Sequence, residues 1–181
     1  MDSVASRYAI ALLSLAREEN CVKEYISICE QVIEVLDQNT DLEKILRDYG
    51  LTLNEKKETL DICFKDKIPE YVLNFFYIII DNRRGNLFKS ILLEFVRIGY
   101  KELNIKKGTI YSTIKLSELE IKEIEKKTSE ILHATVILDN KLDKKLIGGF
   151  KIQVEDMVID ESIKKKLDDL KISLLKKEGS N

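Results

Sequence analysis

Helix breakers are scarce in this chain. A single proline and seven glycines in 181 residues leave the backbone few places to stop, which predicts mostly helix with short connections. Metal and thiol chemistry lack their donors. Cys21, Cys29 and Cys63 form no CxxC, and the one histidine, His133, is remote from them. A zinc site usually needs four nearby ligands, so the cysteines are expected as buried or half-buried thiols in a reducing compartment. Long apolar runs are missing too. The longest, "YVLNFFYIII", has ten residues and includes Asn74, about half of what a bilayer span requires. The N-terminal stretch "MDSVASRYAIALLSLAREEN" is amphipathic and broken by charge, unlike a secretory leader. The expectation is a soluble intracellular protein that reaches a membrane only through a partner. There is no excess of positive charge: the net charge is −2 and the pI about 5.7. That argues against general nucleic-acid binding, which needs a basic patch to displace counterions.

What is present is enough for a core. Hydrophobic residues make up 44% and charged residues 34%, the latter above the usual quarter and mostly the Lys and Glu of solvated helix faces. Residues 1–105 carry 14 Lys and Arg against 18 Asp and Glu; the rest carry 16 against 14. That asymmetry is too small to name a partner. The length suits one domain or two small ones.

The first 105 residues read as successive helices. Val4, Tyr8, Ala11, Leu12, Leu15 and Ala16 recur at helical spacing, as do Val22, Ile26, Cys29, Val32, Ile33 and Leu36. Thr40 to Glu43 and Thr52 to Glu55 carry the capping-box signature. Pro69 suits the first turn of a helix that holds the apolar run and ends near "DNRRGN". A long helix with Phe88, Ile91, Leu92, Phe95 and Val96 inward follows. The pattern changes near Lys106-Lys107-Gly108. "TIYSTIKL" and "ATVILD" read as strands around a helix opened by a third capping box, Ser117 to Glu120, with Lys141–Leu146 a polar connector. The expected fold is mostly α: a six-helix bundle over residues 1–105, then a small α+β domain over 106–181, with the boundary near Asn104–Gly108.

The stretch "IGGFKIQVEDMVIDESIKKKLDDL" holds two glycines side by side. A two-residue turn at Glu155-Asp156 sets Val154 opposite Met157, Ile152 opposite Ile159, Gln153 opposite Val158 and Lys151 opposite Asp160, a register consistent on both faces. Without glycine in the turn, a bulged or longer loop stays open. Asp160 or Ser162 can cap the next helix, whose Ile163, Leu167, Leu170 and Leu174 form one apolar seam. Gly148-Gly149 is a poor phosphate loop, because a strand follows where a helix N-terminus is needed. A bend or a backbone packed close on a neighbour is the better reading. His133 has no nucleophile partner. The acids Glu155, Asp156, Asp160 and Glu161 are explained by turn and cap roles rather than a metal, and Arg83-Arg84 by a solvated helix junction rather than an anion site. No catalytic residue, metal ligand or cofactor site emerges.

That C-terminal stretch resembles the signature of the F-type ATP synthase delta subunit, related to the mitochondrial oligomycin-sensitivity-conferring protein. "SRYAIALLSLA" looks like the family's opening helix, and "DNRRGNLFKSILLEFVRI" like the junction and long helix that close its N-terminal bundle. The likeness spans nearly the whole chain. Relatives commonly carry glycine where this chain has Glu155 and again where it has Glu161; glycine frees φ, so the turn is where the resemblance says least. The resemblance implies a non-catalytic stator subunit, peripheral on the cytoplasmic face of the membrane. Its N-terminal domain would bind N-terminal helices of α subunits in a groove between the first and fifth helices, at the positions of Tyr8, Ala11, Phe75 and Ile78. Its C-terminal domain would bind the distal end of the b subunits, with Gly148, Gly149, Asp160, Ser162, Leu167 and Leu170 on the stalk side. The alternatives are a cytosolic helical adaptor with another target, and an enzyme built on His133 and the acidic cluster.

Overall fold

A computed structural model describes residues 3–163 and 165 of the chain. The chain divides into two compact units, one through Leu103 and one from Asn104 onward.

Unit 1 is helical: α1 (Val4–Glu18), α2 (Val22–Gln38), α3 (Thr40–Arg47), α4 (Leu53–Phe64), α5 (Glu70–Asp81), a 3-10 turn at Gly85–Leu87, and α6 (Phe88–Glu102). The apolar stripes predicted from spacing converge on one core. Leu12, Leu36, Phe76, Phe88 and Phe95 are fully buried within it, each contributing about 1.5–3 kcal/mol relative to an exposed side chain. The Phe76 ring meets Phe88 edge-on at 5.0 Å and Phe64 at 6.2 Å. At the start of α4, Thr52 and Glu55 form the reciprocal capping box expected of them. The Thr40–Glu43 box does not form. A single residue, Asn39, joins α2 to α3 and serves as the cap of both. Thr40 is thus already inside the helix, and Glu43 pairs with Arg47 at 2.6 Å instead. Pro69 is the N-cap of α5 rather than a residue of its first turn. The joint after α5 closes tightly on the end of α3: a Cβ added to Gly85 would lie 2.1 Å from the Leu46 carbonyl oxygen.

Unit 2 contains β1 (Ile105–Ser112), α7 (Glu118–Leu132), β2 (Thr135–Leu142), β3 (Phe150–Val154) and β4 (Met157–Asp160). The sheet order is β2-β1-β3-β4. β1 and β2 are parallel and connected through α7, which opens with the Ser117–Glu120 capping box. β3 runs antiparallel to both β1 and β4. Ile110, Val136, Leu138, Ile152 and Val154 form the core of this unit, with Ile121, Ile124 and Leu132 of α7 packed against it. β1 starts four residues before the expected strand and ends at Ser112. Lys106 and Lys107 look like a loop by composition, yet they pair with Val136 and Ile137 in the ladder. Lys106 is held at 2.9 Å by Glu155, so a charged residue costs the strand little. β2 likewise absorbs Lys141 and Leu142 of the expected connector.

Candidate functional site

The groove positions of unit 1 sit on α1 and α5, and the structure sorts them by depth. Phe75 is buried in the helical core, and its ring meets half-buried Tyr8 edge-on at 6.4 Å. Ala11 is exposed, and Ile78 is 51% exposed. Ile10, on the same helix as Ala11, is 48% exposed. A cleft of about 380 Å³ opens here, lined by Val4, Arg7, Tyr8, Ala11, Asn82 and Arg84. Tyr8 and Ala11 therefore line an opening, whereas Phe75 touches Tyr8 without lining it and Ile78 is not among its lining residues. Sequence reasoning missed Arg7, Asn82 and Arg84. Arg7 lies one turn before Ala11, so the i, i+4 spacing on a helix face was the available signal. The cleft thus has aromatic and small apolar walls with two guanidinium groups among its lining residues.

In unit 2 the register of the last hairpin is the one expected, from Val154 opposite Met157 to Lys151 opposite Asp160. Glu155 takes up the turn with φ of 51°, in the left-handed region that favours glycine. Its carboxylate accepts from Lys106 Nζ. The two glycines lie beside the segment that follows β4. Glu161 N–H donates to the Phe150 carbonyl and Ile163 N–H to the Gly148 carbonyl, each at 3.0 Å. Gly149 has φ of 78°, and a Cβ there would stand 2.5 Å from the Glu161 carbonyl oxygen. At Gly148 an added Cβ would meet only the Cδ1 end of Ile163. The pair is a close-approach device, not a phosphate loop. Asp160 Oδ1 accepts from Ser162 N–H at 2.9 Å, and Ser162 Oγ accepts from Lys165 N–H. These bonds from Ser162 hold the Asp160 carboxyl below its ordinary pKa, with Lys165 and Lys151 adding a smaller effect. Leu167, Leu170 and Leu174 of the expected seam lie outside the described residues.

An apolar groove of about 550 Å³ runs between α7 and this hairpin. Ile124, Ile131, Phe150, Ile152, Ile159 and Ile163 line it, with Gly149 and Glu161 also at its wall. Among the described residues, Gly149 is the one predicted stalk-side residue that reaches the groove. Gly148, Asp160 and Ser162 fix the adjoining backbone. The α7 residues were legible in the sequence, since Ile124, Thr128 and Ile131 follow helical spacing.

His133 and Cys29, both weighed for chemistry, have structural settings. His133 caps α7 in the left-handed conformation, and its carbonyl accepts from Asn104 Nδ2 at 3.1 Å. Cys29 is buried, and burial pushes its thiol pKa up, away from a reactive thiolate. Arg83 and Arg84 part company: Arg84 lines the α1 cleft, and Arg83 lines a different cavity. No helix among the described residues is long and apolar enough to cross a membrane.

Comparison with known proteins agrees with this architecture. The family model described as ATP synthase delta (OSCP) subunit matches residues 4–174. ATP synthase subunit delta of Metamycoplasma arthritidis is 37% identical over 170 residues, covering 94% of each chain. The Acetivibrio thermocellus subunit of the same name is 33% identical over 98% of this chain and 100% of its own. A chain of the Toxoplasma gondii mitochondrial ATP synthase hexamer superposes with a TM-score of 0.64 over 96% of this chain and 98% of that one. At 15% identity it speaks for the fold alone. The chain belongs to the ATP synthase delta (OSCP) subunit family, a structural and non-catalytic stator component of F-type ATP synthases.

Proposed function

We propose that this subunit joins the catalytic head to the peripheral stalk through its two units. Unit 1 takes N-terminal helices of α subunits, and unit 2 takes the distal end of the b subunits. Held in this way, the head stays still while the rotor turns, so rotation is coupled to ATP synthesis and ion translocation. The complex would place the subunit at the cytoplasmic face of the cell membrane, peripherally and without insertion.

The observation that carries the reading is the open cleft lined by Tyr8 and Ala11, with Phe75 of α5 in contact with Tyr8 and Ile78 of the same helix exposed. A helix laid against Ala11 can approach closely, and exposed Ile78 on α5 can supply apolar grip. Arg7 and Arg84 suit acidic groups on the incoming segment. In unit 2, the isoleucine-lined groove beside Gly149 is the matching candidate for stalk helices.

The test is a binding assay on the full chain with two baits, the N-terminal peptide of the cognate α subunit and the soluble part of the b subunit. Ala11→Trp fills the cleft at an exposed position. It should abolish peptide binding while leaving b binding and the melting temperature unchanged. Deleting residues 161–181 should remove b binding and spare the peptide. Peptide binding that survives Ala11→Trp would remove the cleft from the proposal. Failure of the wild-type chain to bind either bait would overturn the two-ended reading.

A further inference from the structure

Unit 1 holds another cavity, of about 160 Å³, at the end of α3 and the joint after α5. Its lining includes Leu46, Arg47, Thr52, Lys56, Arg83 and Gly85. The volume is well above the share of one liquid water, about 30 Å³. Three cationic residues line it, and no carboxylate residue does.

Lys56 is 8% exposed, an unusual depth for a lysine. Its Nζ donates to the Leu46 carbonyl at 3.0 Å, in the last turn of α3. That bond satisfies an orphan helix carbonyl, and the negative end of the helix dipole favours the ammonium there. An ammonium has three donors, and this is the one hydrogen bond made by the Lys56 ammonium among the described residues. No carboxylate there pairs with it. Buried charge is costly unless paired and hydrogen-bonded. The acids nearby in sequence are committed elsewhere. Glu43 pairs with Arg47, Glu55 closes the capping box with Thr52, and Asp48 accepts from Gly50 N–H at 2.7 Å. Arg47 spends part of its five-donor fork on Glu43. Arg83 makes no ion pair among the described residues.

We propose that this cavity binds an oxyanion of the phosphate class, either free phosphate or the terminal phosphoryl group of a nucleotide. Cationic residues from three separate segments line one small cavity, Lys56 buried and Arg47 and Arg83 exposed. A tetrahedral dianion supplies enough oxygens and charge to meet all three, whereas a single carboxylate has two oxygens and one charge. The site is distinct from the α1 cleft and does not depend on it.

The test is isothermal titration of the full chain with inorganic phosphate, alongside thermal unfolding in phosphate and in chloride at matched ionic strength. Saturable binding is expected, with phosphate raising the melting temperature where chloride does not. Arg83→Gly removes one cation at an exposed residue whose φ of 57° suits glycine. It should weaken phosphate binding at least tenfold with the fold intact. Lys56→Met, which keeps the apolar stem, should abolish binding; if that variant does not fold, Arg83→Gly still decides. Competition by ADP with tighter binding assigns the site to a nucleotide phosphoryl group, and no competition assigns it to the free anion. A phosphate effect no greater than that of chloride, or wild-type binding by Arg83→Gly, overturns the proposal.

Discussion

Replacing Gly149 with alanine should open the end of unit 2, whereas the same change at Gly148 should not. At Gly149, φ of 78° is left-handed, where an L-residue costs about 1–2 kcal/mol. The new Cβ would also stand 2.5 Å from the Glu161 carbonyl oxygen and 3.0 Å from Ser162 Cα. Both are backbone atoms of the segment that donates Glu161 N–H to Phe150 and Ile163 N–H to Gly148. Relief requires that segment to retreat, at about 1 kcal/mol for each hydrogen bond weakened. Against this, alanine restricts the unfolded chain and returns about 0.4–1 kcal/mol. The net expectation is a loss of about 2–3 kcal/mol. At Gly148 the Cβ meets the flexible end of Ile163, and the loss should stay under about 1 kcal/mol. The difference of about 2 kcal/mol corresponds to roughly thirtyfold in a local opening constant. Amide hydrogen exchange of β3 and β4 in the full chain measures it, because it reports unit 2 separately from the helical unit. Equal effects of the two substitutions, or a Gly149→Ala loss below about 1 kcal/mol, would refute the close-approach argument.

Gly85→Ala should destabilise unit 1 by more than about 3 kcal/mol, because its Cβ would collide with the Leu46 carbonyl at 2.1 Å; a smaller shift in the urea midpoint would mean that the joint relaxes freely. Acid should weaken both units. Glu55 and Glu120 have folded pKa values lowered by hydrogen bonds from Thr52 and Ser117. Their stabilising contribution is therefore present above the unfolded carboxyl pKa, near 4.3, and is lost as pH falls through the lower folded values. Urea midpoints measured from pH 6 to pH 3 should fall, and Thr52→Ala together with Ser117→Ala should flatten that dependence.

Local rules were enough wherever a feature depends on near neighbours in sequence. The Thr52 and Ser117 capping boxes span three residues, and the hairpin register follows from apolar alternation around a two-residue turn. Both are found. The helical apolar stripes were equally legible, as was the family, because its signature is contiguous. The Thr40 box was not, because whether Thr40 lies outside or inside the helix depends on how closely α3 abuts α2 at Asn39. Nor was the start of β1 at Ile105, since two lysines become strand residues only when a parallel partner supplies the ladder.

The sequence by itself determined the mostly helical class and the family, the first a consequence of pattern and composition and the second of contiguous motifs. Tertiary structure alone decided which residues of one apolar stripe face inward. Tyr8 and Phe75 touch while Ala11 and Ile78 stay open, because helix periodicity defines a face but not what covers it. It also separated Arg83 from Arg84 into different cavities. The left-handed φ of 57° at Arg83 turns the chain between them, and no spacing rule carries that information.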